Sequence, residues 1–296
     1  MLVSFVIPVL NSEKTLAECL DAIQAQTIPS GVEREIVIAD AGSTDGTLDI
    51  ARAHGVDVIT DNPLKTGEAG KTAGIKAAHG DVIALVDSDN ILPDPTWLAR
   101  MTAPFADPDI GATEPIAYTA RPQDPAPTRY FALLGMNDPI CLFTRNYDRT
   151  CGVTGKWTGL AVPAEDRGDW LKLTLTADAL PTIGANGFVL RRSLLDGTNW
   201  DPYLFDIDIL YERIRRDGSV YVAKVKTGII LFCLSTVTLI PLLIQMLIGF
   251  CRKPDRAWLY HVPVCWITLW VYGWGALAKL FGRKQSIADR TTWQKN

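Results

Sequence analysis

Short apolar runs recur through the first ninety positions, and between them the apolar residues switch to a helical spacing. "VSFVIPVL" (3–10) is nearly all apolar, as expected of a strand buried on both faces. The stretch 12–26 sets Leu16, Leu20 and Ile23 on one helical face, with Ser12 as a candidate cap. "EIVIAD" (35–40) predicts a second strand and "LDIARAHG" a helix stopped by Gly55. A third strand (56–60), a helix from Glu68 to His79 and a fourth strand (81–90) follow. This β-α-β-α rhythm predicts a mostly parallel sheet flanked by helices, whose ligands bind beyond the carboxyl ends of the strands. Asn11, Asp40, Asp87 and Asp89 fall at such ends. Beyond them the rhythm loosens into a Pro/Asp/Ala-rich connection (103–128) and a mixed α/β second half (129–228).

The tail has a different pattern. Residues 229–250 carry no charge, and 257–278 hold only His261 and two tyrosines as ionisable groups. As helices, each would run about 33 Å, against a bilayer core of about 30 Å. The expectation is a C-terminal two-helix transmembrane hairpin over 229–296, joined by "CRKPDR" (251–256) and ending in a short basic tail. Two buried core helices are the other reading, and Pro241 and Pro263 leave room for kinked or re-entrant segments.

Charge sharpens this division. The chain of 296 residues has a net charge of −4. Residues 229–296 hold eight Lys/Arg against two Asp/Glu (+6), and 1–228 hold 21 basic against 31 acidic residues (−10). So acidic a head argues against nucleic acid as a partner. Seven basic residues flank the predicted spans on the head side and three lie in the connecting loop, which puts the head in the cytoplasm and makes the chain a multi-pass protein of the cell membrane. The six cysteines are scattered without a CxxC pair, so they read as reduced thiols and not as a zinc site. Met1 leads directly into a strand, so no signal peptide is expected.

Several residues carry candidate chemistry. "GEAGKT" (67–72) looks like a phosphate loop, but the position that needs the first glycine is Lys65. Gly70, Ala73, Gly74 and Ala77 instead form a small-residue stripe that would let the helix lie close to the sheet. Lys71 beside it is either a donor contact or a solvated lysine. "LVDSDN" sets Asp87 and Asp89 at i and i+2 past a strand, where they could hold a hard divalent ion or simply form a solvated turn. Asp40 could accept hydrogen bonds from a base or ribose, or close an Asx turn. Asn11 could tie its loop, and Pro8 fixes the backbone nearby.

"FVIPVLNSEKTL", "EIVIADAGSTDGT", "GKTAGIKAAHGDVIALVDSDN" and "GANGFVLRR", in this order over 5–192, resemble a family 2 glycosyltransferase of GT-A fold. The resemblance implies an inverting transferase with a nucleotide-diphosphate sugar donor, UDP-linked by preference, and Mg²⁺ or Mn²⁺ as cofactor. It implies a GT-A domain over 1–228, divided into a nucleotide-sugar half (1–102) and an acceptor half (129–228). The donor-binding set is then Pro8, Asn11, Asp40, Lys71 and Asp87, with Asp89 on the metal. "LFDIDILYERIRRDG" (204–218) stands where the family keeps its base, which makes Asp206 the first choice and Asp208 the second. Phe205, Ala41 and Leu231 depart from residues that relatives carry. With the tail, the expected acceptor is a lipid or lipid-linked glycan. The alternatives are a silent membrane scaffold on this fold and a polyprenyl-phosphate glycosyl synthase that needs no protein base.

Overall fold

The computed structural model describes residues 1–147, 149–176, 181, 186–196 and 221–280. They divide into two compact units, one of 1–114 with 186–196 and the other of 115–147, 149–176 and 181 with 221–280.

The first unit follows the predicted rhythm. Strands β1 (Leu2–Val9), β2 (Glu33–Asp40), β3 (Val58–Asp61) and β4 (Val82–Leu85) alternate with helices α1 (Leu16–Gln24), α2 (Thr47–Ala53) and α3 (Gly67–Ala77). Then come α4 (Trp97–Thr102) and the two-residue strand β5 (Ala112–Thr113). The apolar run of β1 is buried almost throughout because a parallel sheet is covered on both faces. The sheet order is β3-β2-β1-β4-β8-β5, with β8 (Phe188–Arg191) antiparallel to both its neighbours. β2 lies on one side of β1 and β4 on the other, so the order reverses at β1 and leaves a crevice at the carboxyl ends of β1 and β4. Right-handed crossovers put α1 and α2 on one face and α3 on the other. In keeping with this, α1 meets α2, and α3 lies across β1, β2 and β3.

Two local readings change. The first helix begins at Leu16 and not at Ser12, whose hydroxyl instead meets the Ser88 hydroxyl at 3.0 Å. The strand expected over 81–90 stops at Leu85. Val86 N still donates to Val6 O (3.2 Å), but the chain then turns out of the sheet, and Gly187 N takes Leu85 O at 2.8 Å. Arg192, just past β8, donates to Ile75 O, Ala78 O and Gly80 O and so satisfies carbonyls left open at the end of α3.

At the same amino end of the strands, Glu35 is buried on β2. It accepts from the Ser4 hydroxyl, from His79 N (2.9 Å) and from the His79 ring (2.6 Å), and Gly80 N donates to Ser4 Oγ (2.8 Å). Burial raises this carboxyl's pKa, but the hydrogen bonds from His79 and Ser4 outweigh it and hold the group below the ordinary glutamate value. A lowered folded value means the stabilisation is present above the unfolded pKa and is lost as pH falls through the folded one. Thermal melts are therefore expected to show stability declining below about pH 4.5, with Glu35→Gln flattening that limb and costing roughly 1–2 kcal/mol at neutral pH. An unchanged acid limb in the variant would place the titration elsewhere.

The second unit contains α5 (Ala126–Leu134), α6 (Ile140–Thr144), the hairpin β6 (Ala164–Asp166) and β7 (Leu171–Leu173), and three helices of the tail. These are α7 (Tyr221–Thr238), α8 (Ile240–Arg252) and α9 (His261–Leu280). Trp258 is fully buried among Tyr130, Leu134 and Tyr147.

The run 229–250, expected as one membrane helix, is two. Its helices bend by 92° at Leu239, which adopts φ 63°. Pro241 has no N–H, and in a continuous helix its ring would crowd the carbonyl of Val237, so the helix breaks here and restarts with Pro241 in its first turn. Among the described residues no single helix is long and apolar enough to cross a membrane, although the bent pair passes that test together.

Candidate active site

The carboxyl edge of β1, β2 and β4 brings most of the predicted residues together. Val9 pairs with Asp40 in the β1–β2 register, so the loops that follow these strands start side by side. Asn11 takes a left-handed φ of 50°, its N–H donates to Ser43 Oγ (3.0 Å), and its Oδ1 accepts from Thr44 N (2.8 Å). Asp40 is buried and accepts from Gly42 N (3.1 Å), Ser43 N (3.1 Å) and Ser43 Oγ (2.6 Å). The Asx-turn reading of Asp40 therefore holds. Three donors fill most of the roughly four acceptor positions of a carboxylate, so Asp40 chiefly shapes its own loop.

Lys71 reaches the site because of two glycines. A Cβ on Gly70 would lie 2.7 Å from Pro8 Cβ, and one on Gly74 would lie 2.4 Å from Val6 Cγ1. With no Cβ at either position α3 packs down on β1, with Pro8 beneath it. Thr66 caps the helix by accepting from Ala69 N (3.2 Å). The close approach takes Lys71 off the surface: its side chain is 9% exposed, and Nζ lies 3.4 Å from Asp87 Oδ1. The solvated-lysine reading is thereby excluded.

Asp87 is half-exposed and Asp89 exposed. Asp89 accepts from Asn90 Nδ2 at 3.2 Å. Beneath them Cys19 donates to Asp87 O (3.7 Å), and burial, then the charges of Asp89 and Asp87, push its thiol up to about 12. Cys19 is thus a neutral packing group. Asp87 N donates to Asn186 Oδ1 (3.4 Å) across the β4–β8 junction. Neither Asn186 nor Ser88 is marked as a site residue by the sequence, and Ser12 is marked there only as a helix cap. Asn186 does stand in "GANGFVLRR", the only signal that pointed to it. Asp206 and Asp208 lie outside the described residues.

No group of three His/Cys/Asp/Glu able to hold a metal occurs among the described residues. Two neighbouring carboxylates at an exposed strand end do fit a hard ion that takes one or two protein oxygens and completes its shell with phosphate and water. The edge therefore combines a lysine, two carboxylates and an ordered polar loop, a set suited to a phosphorylated, hydroxylated ligand.

The chain is 32% identical over 103 residues to glycosyltransferase AglE of Haloferax volcanii, covering 33% of each chain. It is 34% identical over 110 residues to glucosyl-3-phosphoglycerate synthase of Mycolicibacterium smegmatis, covering 35% of this chain and 36% of that one. The chain thus matches only about a third of the length of these relatives. The crystal structure of the Mycobacterium tuberculosis glucosyl-3-phosphoglycerate synthase with Mn²⁺, UDP and phosphoglyceric acid aligns at TM-score 0.44 and 21% identity, over 73% of this chain and 66% of that one. Residues 4–155, just over half of the chain, match the model of glycosyl transferase family 2, and the chain belongs to that family.

Proposed function

We propose that this protein transfers a sugar, with inversion, from a nucleotide-diphosphate donor to a lipid or lipid-linked glycan acceptor at the cytoplasmic face of a membrane. The observation that carries the reading is the juxtaposition of the Lys71–Asp87 pair and Asp89 at the crevice where the sheet order reverses. In this reading the loop tied by Asn11 and Asp40 supports the nucleoside, which is uridine by preference. Asp87 orients the ribose or sugar, and Lys71 adds a fixed positive charge beside the diphosphate. Asp89 would hold a divalent ion, which when bound would supply Lewis-acid stabilisation of the departing nucleotide. Asp206, or Asp208 behind it, takes the proton of a hydroxyl acceptor. A phosphate acceptor arrives ionised and needs no such base. The uncharged stretches and basic excess of the tail support a membrane partner.

The test is a screen of nucleotide sugars, with and without Mn²⁺, in the presence of membranes and of hydroxyl and phosphate acceptors. UDP with metal is expected to raise the melting midpoint where ATP does not, and one UDP-sugar is expected to be consumed. Failure of every nucleotide to shift the midpoint would sink the reading and favour a silent scaffold.

A further inference from the structure

The three tail helices turn polar groups inward, beside a small core of Phe232, Leu242 and Cys265, and expose a run of large apolar residues. In α8 the polar residue Gln245 points inward, its Oε1 2.9 Å from His261 Nε2, beside buried Leu242 and Gly249. Leu243, Ile244, Leu247 and Ile248 point outward, each more than a third exposed. In α7, Ser235 and Thr236 are buried while Ile230, Leu234 and Val237 are out. In α9, His261 and Cys265 are buried while Ile267, Trp270 and Trp274 are out. Buried Ser235, Thr236 and His261 behind so many exposed large apolar side chains suit a hydrocarbon solvent, because in water this much exposed apolar area is costly.

The ends of the bent pair decide how it meets that solvent. At the α7 end, a Cβ on Gly228 would lie 2.8 Å from Phe143 O, so the helix lies directly on α6. At the α8 end, Arg252 donates to Val153 O (2.5 Å). Just beyond, Arg129 grips Asp255 through two bonds of 3.0 and 3.1 Å. Both ends are therefore fastened to residues 115–176. A membrane-crossing first helix would instead carry 251–256 some 30 Å away from them. Arms of about 18–20 Å meeting at a right angle reach only about 13 Å below their ends, under half of a hydrocarbon core. α9 is also held along its length, by His261 Nδ1 to the Tyr130 hydroxyl (2.8 Å) and by the Tyr272 hydroxyl to Asp138.

We propose that α7, α8 and α9 embed in a single leaflet of an anionic bilayer, entering and leaving on the side of residues 115–176. This rests on the membrane reading above and replaces a two-pass hairpin with a re-entrant wedge. Charge selects the occupant. Arg252, Lys253 and Arg256 are exposed at the mouth of the wedge, where they meet anionic headgroups. In a hairpin these three cations would be stranded on the far side.

Cys251, exposed at the end of α8, provides the test in the full-length chain. Sealed vesicles of the expressing membrane are treated with an impermeant maleimide before and after permeabilisation. Cys251 is compared with a head reporter, Ser30→Cys in a Cys251→Ser background, and Cys251→Ser alone gives the blank. Labelling of both positions from the same side is expected; labelling from opposite sides overturns the wedge but keeps the membrane. Flotation with phosphatidylcholine–phosphatidylglycerol vesicles tests the membrane itself. Leu247→Glu is expected to weaken that binding about 100-fold while UDP binding is retained. A chain that stays out of the vesicles, as a monomer or as a dimer of two copies, overturns both readings.

Discussion

Asp89→Asn is expected to lower sugar transfer by about 10³-fold, roughly 4 kcal/mol of transition-state stabilisation. Asp89 is exposed at the strand end, so its charge contributes little to the folded state. The melting midpoint without ligand should therefore stay close to that of the parent. The loss should appear in kcat and in the metal-dependent part of UDP binding. An amide keeps the shape and one oxygen ligand but removes the charge that holds a hard divalent ion. A variant with near-parental turnover and unchanged metal dependence would remove Asp89 from the site.

The second large effect concerns Lys71 and Asp87, and here the two single variants should differ in kind. Lys71 is nearly buried and Asp87 is 40% exposed on its side chain. Asp87→Ala leaves a buried ammonium without its carboxylate. Breaking a fully buried pair costs about 3–5 kcal/mol, and partial exposure of Asp87 reduces this to roughly 1–2 kcal/mol. Lys71→Met keeps the volume and leaves behind a carboxylate that water can reach, so stability should change little. UDP affinity should nevertheless drop about tenfold, the equivalent of one charge-assisted contact at about 1.4 kcal/mol. The double variant should be more stable than Asp87→Ala alone, because it carries no orphaned charge. Denaturant melts and UDP titrations of the four proteins read this out. Additive stability losses would mean that the 3.4 Å contact carries no coupling.

β1 to β4 and α1 to α3 were legible because each is declared locally. β1, β2 and β4 are apolar runs ended by Asn11, Asp40 and Asp87, and α1 and α3 show their buried face in the spacing of apolar or small residues. The stripe on α3 was readable for the same reason, since only glycine lets a helix axis come that near a strand. The partner of Lys71 was not readable. It follows from the depth to which Gly70 and Gly74 let α3 settle, and from the turn that takes Asp87 out of the sheet. β8 was equally hidden: it pairs with β4 across about a hundred intervening residues, and no local period records such a pairing. Pro241 marked a weak point in the first apolar run, but neither its angle nor its return to Arg129 and Val153 could be read from it. Asp206 and Asp208 rest on family resemblance alone.

The sequence by itself determined the element types, the strand ends that collect the carboxylates, and the family, since periodicity, turn chemistry and short motifs act over a few residues. Only the tertiary structure decided that Lys71 is buried against Asp87 and that both ends of the bent tail pair are fastened to residues 115–176. Each of these depends on which distant groups meet as the chain packs. Their energies, burial of a charge and replacement of water by a partner, do not exist until it does.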